Sequence, residues 1–152
     1  MNALIIRQKI AENVKIANRY TQLGKLLYEL EARQLPEETT NFINQEIEQL
    51  NAISDTDKSF VKAIKEKETK IVKWLEKKHK IVPKNYYQAL WMVLGMSAFG
   101  LPMGVAFGLS MGNIGLLGIG LPIGMGVGVG VGSYLDKKAL TEGRQLDVDL
   151  KY

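Results

Sequence analysis

The sequence predicts an all-α protein with an N-terminal cytoplasmic helical bundle or coiled coil, followed by a glycine-zipper transmembrane helical hairpin. Residues 85–134 are fifty residues without a charged side chain, and they hold 13 of the chain's 15 glycines. This run is long enough for two membrane spans of about 20 residues each. Charged residues lie on both sides of the run, where apolar side chains recur at helical spacing. We therefore divide the chain into 1–84, 85–135 and 136–152.

The composition narrows the class of protein. The 152 residues include no cysteine, which excludes disulfide bonds and thiolate chemistry. The net charge of +4 comes from residues 1–84, which carry 16 basic and 12 acidic residues, because residues 135–152 carry four of each. The apolar run at Ala3–Ile6 is shorter than the apolar region of a signal peptide, so we expect no signal peptide here.

The first part of the chain predicts three helices, at about 3–33, 37–52 and 57–80. Pro36 separates the first two, and Ser54–Asp57 reads as a turn with an N-cap for the third. Glu68 falls on the apolar stripe of the third helix and makes it imperfect. A bundle helix is the simpler interpretation of the first segment, and an amphipathic helix lying on lipid is the alternative.

Charge predicts how these helices pair. Residues 29–57 hold eight acids and one base, whereas residues 58–84 hold ten bases and three acids. Antiparallel neighbours of opposite sign attract, so we expect the second and third helices to form a hairpin that the first completes as a bundle. The alternative is that both are solvated faces, where an exposed ion pair contributes about 0–1 kcal/mol.

The basic run at Lys77–Lys80 and Lys84 directly precedes the uncharged segment. Lysines beside a membrane span mark the cytoplasmic side and attract anionic lipid. Nucleic-acid binding is the competing interpretation of a basic helix. The sequence argues against it, because no recognised nucleic-acid motif accompanies the run.

The uncharged segment divides into two spans, at about 87–111 and 115–135, joined by a turn at Gly112–Gly115. An even number of spans places both ends on one side of the membrane. By the positive-inside rule that side is cytoplasmic and Asn113 lies outside, which predicts a multi-pass plasma-membrane protein with both termini cytoplasmic. The residues expected to anchor the hairpin at the interface are aromatic or basic: Lys84, Tyr86, Tyr87, Trp91, Tyr134, Lys137 and Lys138.

Glycines recur every fourth residue in both spans, which puts them on one helix face. Small residues let membrane helices approach closely. The predicted helix-packing face consists of Gly100, Gly104, Gly108, Gly112, Gly120, Gly124, Gly128 and Gly132. A two-residue offset turns about 200° and defines a second small-residue face. It consists of Ala98, Ala106, Ser110, Gly118, Gly126 and Gly130. One face suffices to close the hairpin, so the second predicts a homo-oligomer. The alternative is a monomeric hairpin that is simply rich in glycine.

Two features complicate this interpretation. Glycine alternates with valine over 126–131, as in a strand, but the four-residue period and the span lengths favour helices over a membrane β-barrel. Pro102 and Pro122 lack an N–H, and we expect Pro102 to kink the first span and to leave the Ala98 carbonyl without its usual partner.

The last residues begin as a helical extension that breaks at Gly143. Gln145–Leu150 alternates polar and apolar side chains, which suits an edge strand or a docking peptide. A loose terminus is the commoner outcome for such an end.

The stretch Gly112–Leu146, with its Asn-Ile-Gly turn, glycine-rich span and Asp-Lys-Lys to Glu-Gly-Arg tail, resembles small bacterial membrane proteins with glycine-zipper hairpins. The likeness covers about 94–146, roughly a third of the chain. It implies a two-span hairpin in a bacterial inner membrane. It implies no particular activity, because these proteins are largely uncharacterised.

The sequence argues against an enzyme and indicates no cofactor and no metal. The single histidine, His79, lies in a lysine-rich stretch and is expected to be solvated. A conventional ion-coupled transporter needs ionisable groups within the membrane, and this segment has none. Two hypotheses remain. One is a self-associating membrane protein that forms a pore or permeabilising assembly, with polar candidates for a lining at Ser97, Ser110, Asn113 and Ser133. The other is a membrane-anchored adaptor whose cytoplasmic helices bind a protein partner or anionic lipid.

Overall fold

The computed structural model of the chain describes residues 1–5, 14–53 and 60–150, which are mostly helical. The predicted N-cap at Ser54–Asp57 lies outside these residues. The chain separates into two compact units. Unit 1 consists of Met1–Pro83 with Leu146–Tyr152, and unit 2 is Lys84–Gln145. The residues of the predicted tail, 136–152, are divided between the two units.

Unit 1 contains three helices and most of two short strands in its described residues. The helices are α1 (Val14–Glu31), α2 (Glu37–Asn51) and α3 (Phe60–His79), and the strands are β1 (Val82–Lys84) and β2 (Gln145–Asp149). Apart from Glu68, the largest fully buried side chains of the three helices are apolar and form one core: Leu23, Leu26, Leu30, Ile43, Ile47, Leu50, Phe60, Ile64, Ile71 and Leu75.

Opposite charges join α2 to α3, as the sequence predicts. Lys67 Nζ lies 2.7 Å from Glu46 Oε2 in a buried ion pair, and it also donates to Gln49 Oε1. Nearer the end of α3, Lys78 Nζ lies 3.0 Å from Glu38 Oε1. These two ion pairs thus link the acidic part of this region to the basic part within one helical hairpin.

The prediction of a helix from residue 3 is wrong for residues 3–5, which are not helical. Side chains of α2 bind this segment through its backbone: Asn51 Oδ1 accepts from the Ile5 N–H, and Asn51 Nδ2 donates to the Ala3 carbonyl. The Tyr20 hydroxyl of α1 donates to the Ile5 carbonyl at 2.7 Å. Residues 6–13 of the predicted helix lie outside the described residues.

The C-terminal residues form a strand, so the expectation of a loose terminus is wrong. Strand β2 pairs with β1 in a two-stranded sheet. Leu146, Val148 and Leu150 alternate with exposed residues and are at most 3% exposed. Burial of these three apolar side chains stabilises the end of the chain, which explains why an alternating segment of low local propensity is ordered.

Unit 2 is a hairpin of two long helices. The first runs continuously over Tyr86–Ser110 and the second over Ile114–Thr141. In detail they comprise α4 (Tyr86–Gly95), a π-helical turn (Met96–Gly100), α5 (Leu101–Ser110), a 3₁₀ turn (Ile114–Leu116) and α6 (Leu117–Thr141). The second helix continues from the predicted span, which ends at 135, to Thr141, so the helical extension predicted before Gly143 is present.

The π-helical turn lies directly before Pro102, where the sequence predicts a perturbed helix. Its backbone bonds reach one residue further than in an α-helix, since the Leu101 N–H donates to the Met96 carbonyl. Proline lacks an N–H and its ring crowds the preceding turn, so a wider turn there accommodates it. The turn also adds one residue to the spacing between positions on the same face of the first helix, and this changes which glycine makes contact.

Candidate functional site

The two helices of unit 2 meet backbone to backbone along a glycine-lined contact. A Cβ built on Gly120 would lie 2.2 Å from the Gly100 carbonyl oxygen and 2.4 Å from Gly104 N. A Cβ on Gly124 would lie 2.4 Å from the Gly95 carbonyl oxygen and 2.5 Å from Gly100 N. These distances are too short for any side chain, so only glycine permits this approach.

The same contact continues to the open end of the hairpin. A Cβ on Gly128 would lie 2.1 Å from the Trp91 carbonyl oxygen, and one on Gly132 would lie 2.4 Å from Gln88 Cα. We call this set the closed face: Gly95, Gly100, Gly104, Gly120, Gly124, Gly128 and Gly132. Gly108 is also buried on the first helix.

Sequence reasoning differs from the closed face at two glycines, because it included Gly112 and omitted Gly95. Gly112 does not pack against the second helix: it lies exposed in the turn with a φ of +62°, and nothing lies within 4 Å of a Cβ built on it. Gly95 was missed, although a Cβ there would lie 2.3 Å from the Gly124 carbonyl oxygen. A strict four-residue period from Gly100 points to Met96, and the π-helical turn moves the contact by one residue to Gly95.

The second small-residue face is open. Nothing lies within 4 Å of a Cβ built on Gly118, Gly126 or Gly130, and all three are exposed. We call these three residues the open face. Ala98, Ala106 and Ser110 on the first helix are exposed as well. The hairpin therefore uses one set of glycines internally and leaves the other set available.

Large apolar side chains cover the outside of the hairpin. Both helices are strongly apolar, yet only 22% and 18% of the residues in their most apolar stretches are buried. A core helix of a soluble protein would be mostly buried. Leu109, Met111 and Ile114, near the turn, are 79%, 69% and 78% exposed. Both helices are long enough and apolar enough to cross a membrane.

A buried carboxylate closes the open end of the hairpin. Asp136 on α6 is 7% exposed and accepts hydrogen bonds from the backbone N–H groups of Tyr87 (3.1 Å) and Gln88 (2.9 Å). These N–H groups lie in the first turn of α4, whose own N-cap residue Asn85 makes no side-chain cap. Asp136 therefore caps α4 from the other helix. Sequence reasoning missed it, because a cap 48 residues away leaves no local signal.

The predicted interface anchors collect at this same end. The bonds from Asp136 to Tyr87 and Gln88 bring the beginning of the first helix beside the end of the second. Tyr86 and Tyr87 pack edge to face with ring centroids 5.3 Å apart. Tyr134 is 68% exposed. The remaining anchors are exposed or half-buried: Lys84, Trp91, Lys137 and Lys138.

Most of the polar candidates for a pore lining are engaged locally. The Ser97 hydroxyl donates to the Val93 carbonyl at 3.0 Å, as serines in apolar helices commonly do. Ser133 Oγ accepts from Gln88 Nε2, and Asn113 Oδ1 accepts from the Gly115 N–H in the turn. Ser110 is exposed at the end of α5.

In unit 1, His79 has a specific partner, which corrects the expectation that it is solvated. Its Nε2 lies 2.7 Å from the hydroxyl of Thr39, a residue that is 1% exposed. Trp74 lies beside this pair, with Nε1 3.4 Å from the same hydroxyl. The contact fixes the end of α3 against the start of α2. Within the described residues no three histidine or acidic side chains are placed to hold a metal ion.

A partly buried ion pair lies between α1 and α3. Arg19 Nη1 and Glu68 Oε1 are 3.8 Å apart, and Glu68 is 2% exposed. Burial raises the pKa of Glu68 above its usual value, although the nearby charges of Arg19 and Lys65 oppose the shift. The imperfection of the α3 stripe is thus a carboxylate held inside the bundle.

Comparison of this chain with protein families, characterised proteins and known structures finds no match.

Proposed function

We propose that this chain is an integral membrane protein that self-associates through glycine-zipper transmembrane helices. The hairpin of unit 2 crosses a bacterial plasma membrane twice, and both termini are cytoplasmic. The observation that carries the proposal is the division of the glycines. The closed face is filled by backbone of the other helix, whereas the open face has nothing within 4 Å.

Membrane insertion accounts for the composition of the hairpin. Glycine costs a helix in water about 1 kcal/mol relative to alanine, and the 28-residue second helix contains eight glycines (115, 118, 120, 124, 126, 128, 130 and 132). In hydrocarbon no water competes for the backbone, so the helical conformation is favoured despite glycine. The exposed apolar side chains around the hairpin are then in contact with lipid.

Self-association accounts for the open face. Lipid-facing helix surfaces gain nothing from glycine, because a larger side chain would pack equally well against lipid. A surface of small residues does allow a second helix to approach closely, which is the usual means of association within membranes. The partner with a complementary surface at hand is a second copy of this hairpin.

Two alternative functions fit such an oligomer. In the first it is a pore or permeabilising assembly, for which exposed Ser110 is a polar contributor. In the second it is an anchor that presents unit 1 as an adaptor for a protein partner or anionic lipid. The local bonds of Ser97, Asn113 and Ser133 favour the second form, because each of these side chains already has a partner within one hairpin.

The test is native mass spectrometry of the full chain in nanodiscs. We expect the wild type to give a defined oligomer and Gly126→Leu with Gly130→Leu to give monomer. Because the open face has nothing near it, these leucines leave the hairpin itself intact. Val127→Leu with Val131→Leu is the matched control, since both valines are exposed and apolar. Gly124→Leu is unsuitable, because it disrupts the closed face.

A monomeric wild type, or an oligomer that survives Gly126→Leu with Gly130→Leu, would overturn the self-association. Conductance in planar bilayers that disappears with the oligomer assigns the pore form. An intact oligomer without conductance assigns the adaptor form. Topology is read separately from a single cysteine introduced in the turn, Met111→Cys, which we expect to be labelled only from outside the cell.

A further inference from the structure

We propose that the outer face of α3 docks on the anionic headgroups of the bilayer that holds the hairpin. We call this surface the lysine face: Lys62, Lys65, Lys70, Lys73 and Lys77. All five side chains are exposed. The inference rests on the proposed membrane insertion of unit 2 and adds to it a ligand for unit 1.

Helical geometry gathers these lysines on one side of α3. At 100° per residue, the five positions fall within an arc of about 140°. The other two lysines between Lys62 and Lys78 face α2 instead: Lys67 pairs with Glu46 and Lys78 with Glu38. The helix therefore separates its positive charge into an inner set that is neutralised and an outer set that faces solvent.

The lysine face contains a shallow, open groove. Lys62, Lys65, Thr69, Lys70 and Lys73 line it together with Glu66. The charge of Glu66 is compensated within the groove, because its carboxylate lies 3.2 Å from Lys70 Nζ. An approaching anion thus meets a net positive surface of ammonium groups.

The chemistry of this face fits lipid phosphate better than nucleic acid. All cations of the lysine face are lysines, which act as point charges and suit a diffuse anionic surface. Arginine would instead form paired hydrogen bonds to phosphates and bases of nucleic acid. Among the described residues, no aromatic side chain on which a base could stack lines the groove.

The chain keeps the lysine face close to a bilayer. Residues 80–85 alone join α3 to the first hairpin helix. Six residues span at most about 20 Å, so lysines in the last turns of α3 stay within reach of the headgroups once the hairpin is inserted. Tethering replaces a bimolecular encounter by an intramolecular one and raises the effective lipid concentration.

Docking is measured on the full chain in nanodiscs, with a fluorophore on a single cysteine. The chain has no cysteine of its own, so Thr69→Cys reports from the groove alone. A nitroxide on the lipid headgroups quenches a probe that is close to the membrane. We expect stronger quenching at Thr69→Cys in discs that contain phosphatidylglycerol than in phosphatidylcholine discs. A probe at exposed Gln45→Cys on α2 is the reference and should show little difference.

Charge variants test which lysines act. Each lysine near an anionic surface changes binding by about fivefold, so Lys65→Gln with Lys73→Gln should shift the docking equilibrium about 25-fold. Lys25→Gln with Lys78→Gln removes the same charge away from the lysine face and should leave docking within about fivefold. Raising the salt to 1 M shortens the Debye length to about 3 Å and should abolish the quenching.

Equal quenching in neutral and anionic discs, or equal effects of the two lysine pairs, would overturn the proposal. A change in the probe's fluorescence with an oligonucleotide, but not with anionic lipid, would assign the lysine face to nucleic acid instead. Incorporation into nanodiscs is measured on the same samples by co-purification. A chain that incorporates but does not dock refutes only the docking, whereas a chain that fails to incorporate refutes the membrane proposal itself.

Discussion

Replacing Gly128 by alanine should separate the two hairpin helices, whereas the same replacement at Gly130 should not. A Cβ on Gly128 would lie 2.1 Å from the Trp91 carbonyl oxygen. Ordinary van der Waals contact begins at 3.4 Å, so the helices must move apart there by about 1.3 Å (3.4 − 2.1). The obstacle is backbone of the first helix, which cannot rotate away as a side chain could.

The comparison of the two variants isolates this steric cost. Both replacements gain the same helix propensity, up to about 1 kcal/mol in water, so this gain cancels in the difference. Overpacking costs about 1–3 kcal/mol, and nothing lies within 4 Å of a Cβ on Gly130. We therefore expect Gly128→Ala to be less stable than Gly130→Ala by about 1–3 kcal/mol.

The assay is unfolding of the hairpin in mixed micelles of dodecyl maltoside and sodium dodecyl sulfate. Trp91 fluorescence reports on the contact itself once Trp74 is replaced by phenylalanine, since these are the two tryptophans of the chain. The protein is diluted until it is monomeric, so that association through the open face does not contribute. Equal stabilities of the two variants would show that the helices do not meet at Gly128.

Two further predictions concern buried carboxylates. Asp136→Ala removes the cap of α4, so it should lower the free energy of unfolding of the hairpin by about 2 kcal/mol and speed hydrogen exchange at the Tyr87 and Gln88 amides. Asp136→Asn should lower the free energy of unfolding by less. Unchanged exchange at both amides would contradict the cap. Burial raises the pKa of Glu68 above 4.5 despite Arg19, so the folded state binds this proton more tightly than the unfolded state. The stability that Glu68 contributes is fully present below pH 4.5 and is lost as the pH rises through the raised pKa. The free energy of unfolding measured with urea should therefore rise in the wild type relative to Glu68→Gln as the pH falls through that window. Parallel pH profiles of the two proteins would refute this.

The order of the helices was readable from the sequence because local signals mark it. Pro36 separates α1 from α2, and the charge reversal between residues 29–57 and 58–84 predicted that α2 pairs with α3. Ion pairs at Glu46–Lys67 and Glu38–Lys78 confirm this pairing. Patterns of charge and hydrophobicity predict contacts correctly when the contacts join elements that are neighbours in the chain.

Contacts between distant parts of the chain were not readable. Residues 3–5 have helical composition, yet the side chain of Asn51 holds Ala3 and Ile5 in another conformation. The alternating end of the chain has little preference of its own for helix or strand. It forms a strand because it is buried as β2 beside β1. Asp136 likewise acquires its role only where the hairpin brings it to the first turn of α4.

The sequence by itself determined that there are two long apolar helices and that glycines recur on their faces, because both follow from composition and from a period near 3.6 residues. Only the tertiary structure decided which glycines are enclosed. The π-helical turn before Pro102 adds a residue to the first helix, which moves the contact to Gly95, and the reversal at Gly112 takes that glycine out of it. A single added residue rotates everything beyond it by about 100°, so a periodic pattern alone cannot assign a helix face across such a turn.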